Sequence, residues 1–248
     1  MAALPLMKLI RLKGVPILQQ LHLEERLLRT SPHNWCIIND GTNLPHIVMG
    51  ISGKPAELLE INSVLRDKVP VIRRFSGGGT VIVDTGTIFV TFICNKDDVS
   101  EVQPYPRPIM SWNSLLYSKV FQGVGDFVLR ENDYAFGNRK FGENAQSITK
   151  NRWIHHTSFL WDYEINNMAY LKLPKRAPEY RLESLGFHML HERIYAKDKF
   201  HHKTVDALQG EFSVETTDLE AVESPPNTKF IHSSKILTKR ELEEAALG

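Results

Sequence analysis

Residues 73–84, Arg73-Arg74-Phe75-Ser76-Gly77-Gly78-Gly79-Thr80-Val81-Ile82-Val83-Asp84, set three consecutive glycines between two β-prone runs. Val71-Ile72 leads in, Thr80–Val83 leads out, and Thr85-Gly86-Thr87 turns the chain into a further strand reaching Asn95. The pattern predicts strand, glycine loop, strand, turn, strand, with antiparallel neighbours. Consecutive glycines let backbone N–H groups approach and turn toward a ligand, while two arginines and a hydroxyl add charge-assisted donors. Such a loop suits a phosphate or a carboxylate. It is not a Walker loop, since no Gly-Lys-Ser/Thr follows, nor a dinucleotide fingerprint, since a strand rather than a helix comes next. A flexible hairpin loop with solvated arginines is the alternative reading of the glycines alone.

Upstream, Pro16 is placed as a first helical residue, and Ile17, Leu21 and Leu28 repeat at helical spacing until Thr30-Ser31-Pro32. Trp35–Ile38 and His46–Met49 read as neighbouring strands, and a second helix starts at Pro55, carries Leu58, Ile61 and Leu65, and ends before Pro70. Downstream, a helix is expected over 111–124 and a strand at Phe127–Leu129. Residues 140–161 read as a hairpin turning at Lys150-Asn151. Helical patches and loops follow to about residue 210, Pro225-Pro226 reads as a linker, and Thr238 with Glu241 forms a capping box. Interleaved helices and hairpins predict a mixed α/β (α+β) domain on a largely antiparallel sheet flanked by helices, not a doubly wound fold.

The chain has 248 residues, 42% of them hydrophobic and 24% charged, enough for one sizeable core. Thirty Lys+Arg against 29 Asp+Glu leave a net charge of +1, which argues against bulk electrostatic binding to nucleic acid or an anionic membrane. Any anion site must therefore be local. Cys36 and Cys94 are too far apart for a CxxC motif and sit in apolar strands, as buried thiols of a reducing compartment do. No apolar run reaches the roughly 18 residues of a membrane span. The first acidic residue is Glu24, as in an acid-poor transit peptide, but Ser and Arg enrichment is missing, so the N-terminus reads as folded sequence.

A second constellation comprises Asn132-Asp133, Gly137 to Ser147 with Lys140, and His155-His156-Thr157-Ser158. A lysine fixed on a strand can hold a cation against a reacting phosphate in a low-dielectric site, the alternative being a solvated hairpin lysine. Adjacent strand histidines point to opposite faces, so one of His155 and His156 at most faces a given pocket. The histidines and cysteines do not have zinc-site spacing.

Together RRFSGGGTVIVD, the ND pair, RKFGENAQ and HHTSFL resemble, in order, the motifs of the lipoate-protein ligase branch of the biotin/lipoate A/B protein ligase superfamily. The resemblance spans roughly residues 15 to 195, including Arg176-Ala177-Pro178-Glu179-Tyr180-Arg181. It implies the class II aminoacyl-tRNA synthetase/biotin synthetase-like fold, with a catalytic domain over 1–210 and a short C-terminal extension over 211–248 in place of a full accessory domain. It also implies an ATP-dependent, acyl-adenylate-forming ligase or lipoyltransferase that forms or uses lipoyl-AMP and transfers lipoyl to a lysine of an acceptor domain. By resemblance Lys140 is the catalytic lysine. Arg73, Arg74, Ser76, Gly77, Gly78, Gly79, Asn132, Asp133, His156 and Ser158 bind substrate or nucleotide, with Asp133 a magnesium ligand. ATP, Mg2+ and lipoate are the implied small molecules. Partners would be lipoyl domains of 2-oxoacid dehydrogenase E2 subunits and the glycine-cleavage H protein, with a separate activating partner as an option, in the cytoplasm or alternatively in mitochondria or plastids. Val81 and Val83 would line an acyl tunnel or belong to plain core.

The chain departs from the family at two points, Thr157 for a glycine and Glu143 for a small residue. Two other readings stay open: octanoyl transfer from acyl carrier protein through a cysteine thioester, which requires an exposed, activated thiolate, and a non-catalytic binder of lipoyl or acyl-carrier domains.

Overall fold

The protein is described from a computed structural model covering residues 3–99, 101–162, 164–172, 196–222 and 230–247. The Arg176–Arg181 motif, His188, His191 and the Pro225-Pro226 linker lie outside the described residues. Thirteen strands run in chain order: β1 (Leu6–Lys13), β2 (Asn34–Asp40), β3 (His46–Met49), β4 (Val71–Arg73), β5 (Gly77–Gly78), β6 (Thr80–Val83), β7 (Thr87–Asn95), β8 (Phe127–Arg130), β9 (Asp133–Phe136), β10 (Arg139–Ile148), β11 (Arg152–Leu160), β12 (Ser213–Thr216) and β13 (Lys235–Ile236). The helices are α1 (Ile17–Thr30), α2 (Pro55–Leu58), α3 (Ile61–Asp67), α4 (Pro106–Val120), α5 (Lys197–Gln209) and α6 (Lys239–Leu247). Among the described residues they build a nine-stranded sheet, β12-β1-β2-β7-β11-β10-β9-β8 with β5 on β10, and a four-stranded sheet, β13-β4-β3-β6. The main sheet is parallel only across β12-β1-β2, so the expected largely antiparallel α+β fold is the one observed.

Alternation along β7 explains the layering. Ile88, Val90, Phe92 and Cys94 pack toward α4 and α5, and Phe89 and Ile93 toward α1. Both faces of the strand are covered, which is why IFVTFICN is apolar almost throughout. The second sheet divides in the same way. Val48, Ile72 and Val83 join the α1 cluster, whereas Ile47, Met49, Val71 and Ile82 pack with Leu59, Ile61 and Val64. The four-stranded sheet thus forms a third layer beneath α1, closed from below by α3 and α6.

Three sequence expectations are corrected. β2 and β3 are not neighbours: β2, buried along almost its whole length, sits between β1 and β7, and Gly41 at φ +82 carries the chain across to the other sheet. β4 and β6 both pair with β3, while β7 belongs to the main sheet, so the segment from 71 to 95 is split between layers rather than forming one meander. The helix expected from Pro55 breaks at Leu59-Glu60, where Glu60 N donates to Tyr170 O and Lys172 N to Leu58 O. Backbone pairing with residues 170–172 there overrides the helical period. By contrast, the 140–161 hairpin and the Thr238–Glu241 capping box form as expected, the latter with Thr238 N donating to Glu241 Oε2 at 2.7 Å.

The described part of 211–248 is woven into the fold. β12 extends the main sheet, β13 extends the second, and Ser234 Oγ accepts from Phe75 N at 3.0 Å beside the glycine loop. Leu237 and Leu242 are buried in the lower cluster. Leu242→Ala should therefore cost about 2–3 kcal/mol in urea unfolding, the low end for a buried leucine, while Leu247→Ala on the exposed face leaves the midpoint unchanged.

Candidate active site

The glycine loop crosses between the two sheets. β4 delivers Arg73 and Arg74 from the second sheet, then Gly77 and Gly78 pair with Gln146 and Ala145 on β10 of the main sheet. A buried guanidinium fixes the crossing: Arg74 Nη2 donates to Gly79 O at 2.8 Å and Nη1 to Val48 O at 3.3 Å. Gly78 adopts φ +130, and a Cβ there would stand 2.6 Å from Arg74 Nη2 and 2.9 Å from Asn144 O. Only glycine fits against the arginine in that conformation.

Between this loop, α1 and the α1-facing side of β7, β10 and β11 lies a cavity, partly open to solvent, with about 40 Å³ of room for the centres of water-sized groups. Its walls are apolar, from Ile17, Leu21, Val48, Val81, Val83 and Phe89. Polar groups gather at two places. One is a network on α1: Glu24, fully buried, accepts from Thr91 Oγ1 at 2.6 Å and Gln20 Nε2 at 2.8 Å, and its other oxygen lies 2.8 Å from His156 Nδ1. Asn39 Nδ2 donates to Gln20 Oε1 at 2.8 Å and so extends the chain of bonds. His156 Nε2 is buried without a protein partner, and Phe75 packs edge-on to the ring.

The other polar cluster sits at the loop. Lys140, 7% exposed, holds its ammonium 3.2 Å from Asp133 Oδ1 and 3.3 Å from Glu143 Oε2. Glu143 lines the cavity, and a Cβ on Gly79 would lie 2.5 Å from its Oε1. Burial lowers the Arg74 pKa to about 10, a fall that the Glu143 carboxylate opposes. At low effective dielectric such fixed charges act strongly on whatever enters between them.

The structure therefore brings Lys140, Asp133, Arg74 and Gly79 close around Glu143, and places His156 and Ser158 on the cavity wall. It does not bring the whole predicted set together. Arg73 points away and donates to Gly53 O at 2.6 Å and Ile51 O at 3.1 Å; Ser76 is fully buried outside the cavity lining; Asn132 is exposed, its carbonyl accepting from Asn144 Nδ2. Gly77 and Gly78 serve the β10 pairing. As for magnesium, no group of three or more His, Cys, Asp or Glu side chains converges among the described residues, and Asp133 is engaged with Lys140. Among the described residues the side chains do not make a magnesium cage.

Sequence reasoning missed Glu24, Gln20 and Thr91. The signal was present: Gln20 and Glu24 stand at i and i+4 on the apolar face of a helix whose neighbours Leu21 and Leu28 are core. His155 faces the opposite side of β11, fully buried between Gln146 Nε2 at 2.9 Å and the Tyr134 hydroxyl at 3.4 Å. Burial depresses its pKa to about 3. Cys36 and Cys94 lie in the α4-side core with pKa values pushed upward by burial, so neither offers a thiolate to the cavity.

An apolar cleft bordered by the glycine loop, with Glu143 in its lining paired to the buried Lys140, is the feature that the fold builds between its two sheets. Residues 16–190 match the family of the lipoyl protein ligase A/B catalytic domain, and the chain belongs to that family. Among curated relatives it is 27% identical over 224 residues to inactive lipoate–protein ligase 2 of Plasmodium falciparum, covering 73% of this chain and 57% of that one. To lipoate-protein ligase A of Blochmanniella floridana it is 28% identical over 181 residues, covering 73% and 52%. The chain thus spans a little over half the length of these relatives. Its fold is also that of P. falciparum LipL1 in complex with lipoate (TM-score 0.69, 18% identity, 87% of this chain and 67% of that one). The same holds for a lipoate-protein ligase A bound with ATP (0.69, 14%, 89% and 92%) and a bipartite ligase from Thermoplasma acidophilum studied with its E2 lipoyl domain (0.70, 14%, 89% and 91%).

Two outcomes follow from this geometry. Gly78→Ala should lower stability by about 1–3 kcal/mol in urea, while Gly77→Ala, whose Cβ would meet only Gln146 O at 3.6 Å, is tolerated. The depressed His155 pKa means that below pH 6.5 the unfolded chain takes up a proton that the native imidazole refuses until about pH 3. Stability should therefore fall as pH is lowered across that window, with His155 contributing on the order of 1 kcal/mol per pH unit. His155→Gln should flatten this part of a pH series of urea midpoints.

Proposed function

We propose that this protein attaches lipoate, or transfers the lipoyl group of a preformed lipoyl-adenylate with release of AMP, to the lysine of a lipoyl domain. The observation that carries this reading is the apolar cleft beneath α1, whose lining includes Arg74, Gly79 of the glycine loop and Glu143, the last 3.3 Å from the buried Lys140 ammonium. The family membership supports it, as do the lipoate held by LipL1, the ATP bound to lipoate-protein ligase A and the E2 lipoyl domain that accompanies the archaeal enzyme.

In this reading the lipoyl tail enters between Leu21, Val81, Val83 and Phe89, and burial of its methylenes supplies most of the binding. The carboxylate attacks the α-phosphorus of ATP, the carboxyl–phosphorus anhydride forms, and pyrophosphate leaves. Two anions must meet for this to happen, so the cations of Lys140 and Arg74 lower the barrier by countering charge that builds up during displacement. In the second half, the neutral amine of the acceptor lysine attacks the acyl carbonyl, the amide forms, AMP leaves and the amine's proton goes to solvent. Lys140 then faces the carbonyl oxygen. Magnesium travels with the nucleotide's phosphates in this scheme and takes no step of its own, since Asp133 is held by Lys140. Acceptors would be E2 lipoyl domains and the glycine-cleavage H protein.

A second reading, transfer from preformed lipoyl-adenylate supplied by an activating partner, or binding without adenylation, is favoured by Glu143, whose carboxylate sits against the cations that would meet ATP. The cysteine-thioester route lacks support from either thiol. Intact mass of a recombinant apo-lipoyl domain separates the remaining choices. Lipoate with magnesium-ATP should add one lipoyl group, and Lys140→Ala should slow this at least a hundredfold. Modification from lipoyl-adenylate alone would move the protein to the second reading, and no modification from either source would refute transfer.

A further inference from the structure

Glu143 stands where the chemistry of the site asks for a substrate anion. Its backbone is cross-strand to Ser158, so its side chain rises on the cavity face of β10. One carboxylate oxygen lies 3.3 Å from Lys140 Nζ, and the other rests so closely against Gly79 that a Cβ there would come to 2.5 Å. The same carboxylate acts on the buried Arg74 guanidinium. Asp133, the cross-strand partner of Glu143 on β9, lies 3.2 Å from the same ammonium, and Arg73 is turned away to the carbonyls of Ile51 and Gly53.

Building on the reading above, we infer that Glu143 is a selectivity residue of the anion pocket: it occupies the place of the incoming phosphate or carboxylate and must swing out before that group can reach Lys140 and the glycine loop. The argument rests on charge and space. A phosphate placed beside Lys140 and Gly79 would share its position with Glu143 Oε1 and Oε2, and with the carboxylate still in place it would meet a like charge at contact distance in a poorly solvated cleft. The side chain can move, because it is partly exposed and packed on the cavity side rather than in the core. The neutral acyl tail binds elsewhere in the cleft and is indifferent to it. The pocket is thus tuned against free anions while remaining open to apolar chains.

The test is calorimetric titration of the full chain with pyrophosphate and, separately, with ATP, comparing wild type, Glu143→Gln and Glu143→Asp. The near-isosteric glutamine keeps the volume and removes the charge, so affinity for both anions should rise at least tenfold. Aspartate keeps the charge and should gain much less. A melting series adds a second readout: Glu143→Gln leaves Lys140 and Arg74 short of a counter-charge, so it should melt lower than wild type in anion-free buffer and recover with pyrophosphate. Unchanged or weaker anion binding in Glu143→Gln, or an equal gain in Glu143→Asp, overturns the inference. The lipoyl-domain mass assay keeps the two ideas separate. Wild-type lipoylation with no gain in Glu143→Gln affinity would sink this inference alone. A gain in affinity with no lipoylation by any variant would sink the functional reading alone.

Discussion

The buried guanidinium of Arg74 is the constraint on which the site depends. A cation 5% exposed in a protein interior is costly unless its donors and its charge are largely answered. Carbonyls of Val48 and Gly79 accept from its two Nη groups, which ties β3 of the second sheet to the loop leaving β5, while Nε stays buried without a partner. Glu143, on β10 of the main sheet, offsets part of the charge. The two sheets are therefore joined electrostatically at the point where the glycines cross between them. The glycines follow from this joint. Gly78 must take φ +130 against the guanidinium, and Gly50 must stay bare because a Cβ there would stand 2.4 Å from Gly78 O. A loop that looks suited to cradling a ligand is first an accommodation of its own arginine.

A similar economy governs the Glu24 network. An ionisable group with no exposure on α1 is costly unless donors meet it: Thr91 and Gln20 both donate to Oε1, and His156 Nδ1 approaches Oε2 at 2.8 Å, although Oε2 makes no hydrogen bond. Because those donors sit on the α1-facing side of β7 and β11, the network fixes how deep the helix settles and so how wide the apolar cleft remains. His156 is held by its Nδ1 while Nε2 stays unpartnered. The polar end of the cleft is thereby made by the same bonds that seat the helix.

Much of this was legible in the sequence where local physics decides. The hairpin turning at Lys150-Asn151, the capping box at Thr238, and the opposite facing of His155 and His156 all follow from period and turn chemistry, and all are observed. What was not legible is which strand lies beside which. Trp35–Ile38 and His46–Met49 are each good strands, but nothing within either run says that one is sandwiched by β1 and β7 while the other founds a second sheet. The break at Leu59 was hidden because it is made by residues 170–172, more than a hundred positions away. Among site residues, the motif residues were conspicuous because they are glycine, arginine and lysine in clusters. Glu24 was not, since an acid beside Glu25 in a leucine-rich helix reads as solvated until the strand carrying Thr91 is laid against it.

Catalysis by fixed charge requires that cations be in place before substrate arrives, since moving them during the reaction would cost the stabilisation they offer. Lys140 and Arg74 meet that requirement only through carboxylates: left uncompensated in the cleft, two desolvated cations would repel each other and seek water. Asp133, 2% exposed and outside the cavity lining, performs this service without standing in the cleft. Glu143 performs it from the cavity side, where each increment of positional order it gives the cations is also an increment of competition with the anion they would serve. A site compensated only from behind binds anions readily, and a site compensated also from the front holds its cations just as rigidly but admits an anion only in exchange for a side chain. In the proposed reading, the placement of one carboxylate on β10, rather than the number of cations in the glycine loop, sets the response to an incoming anion.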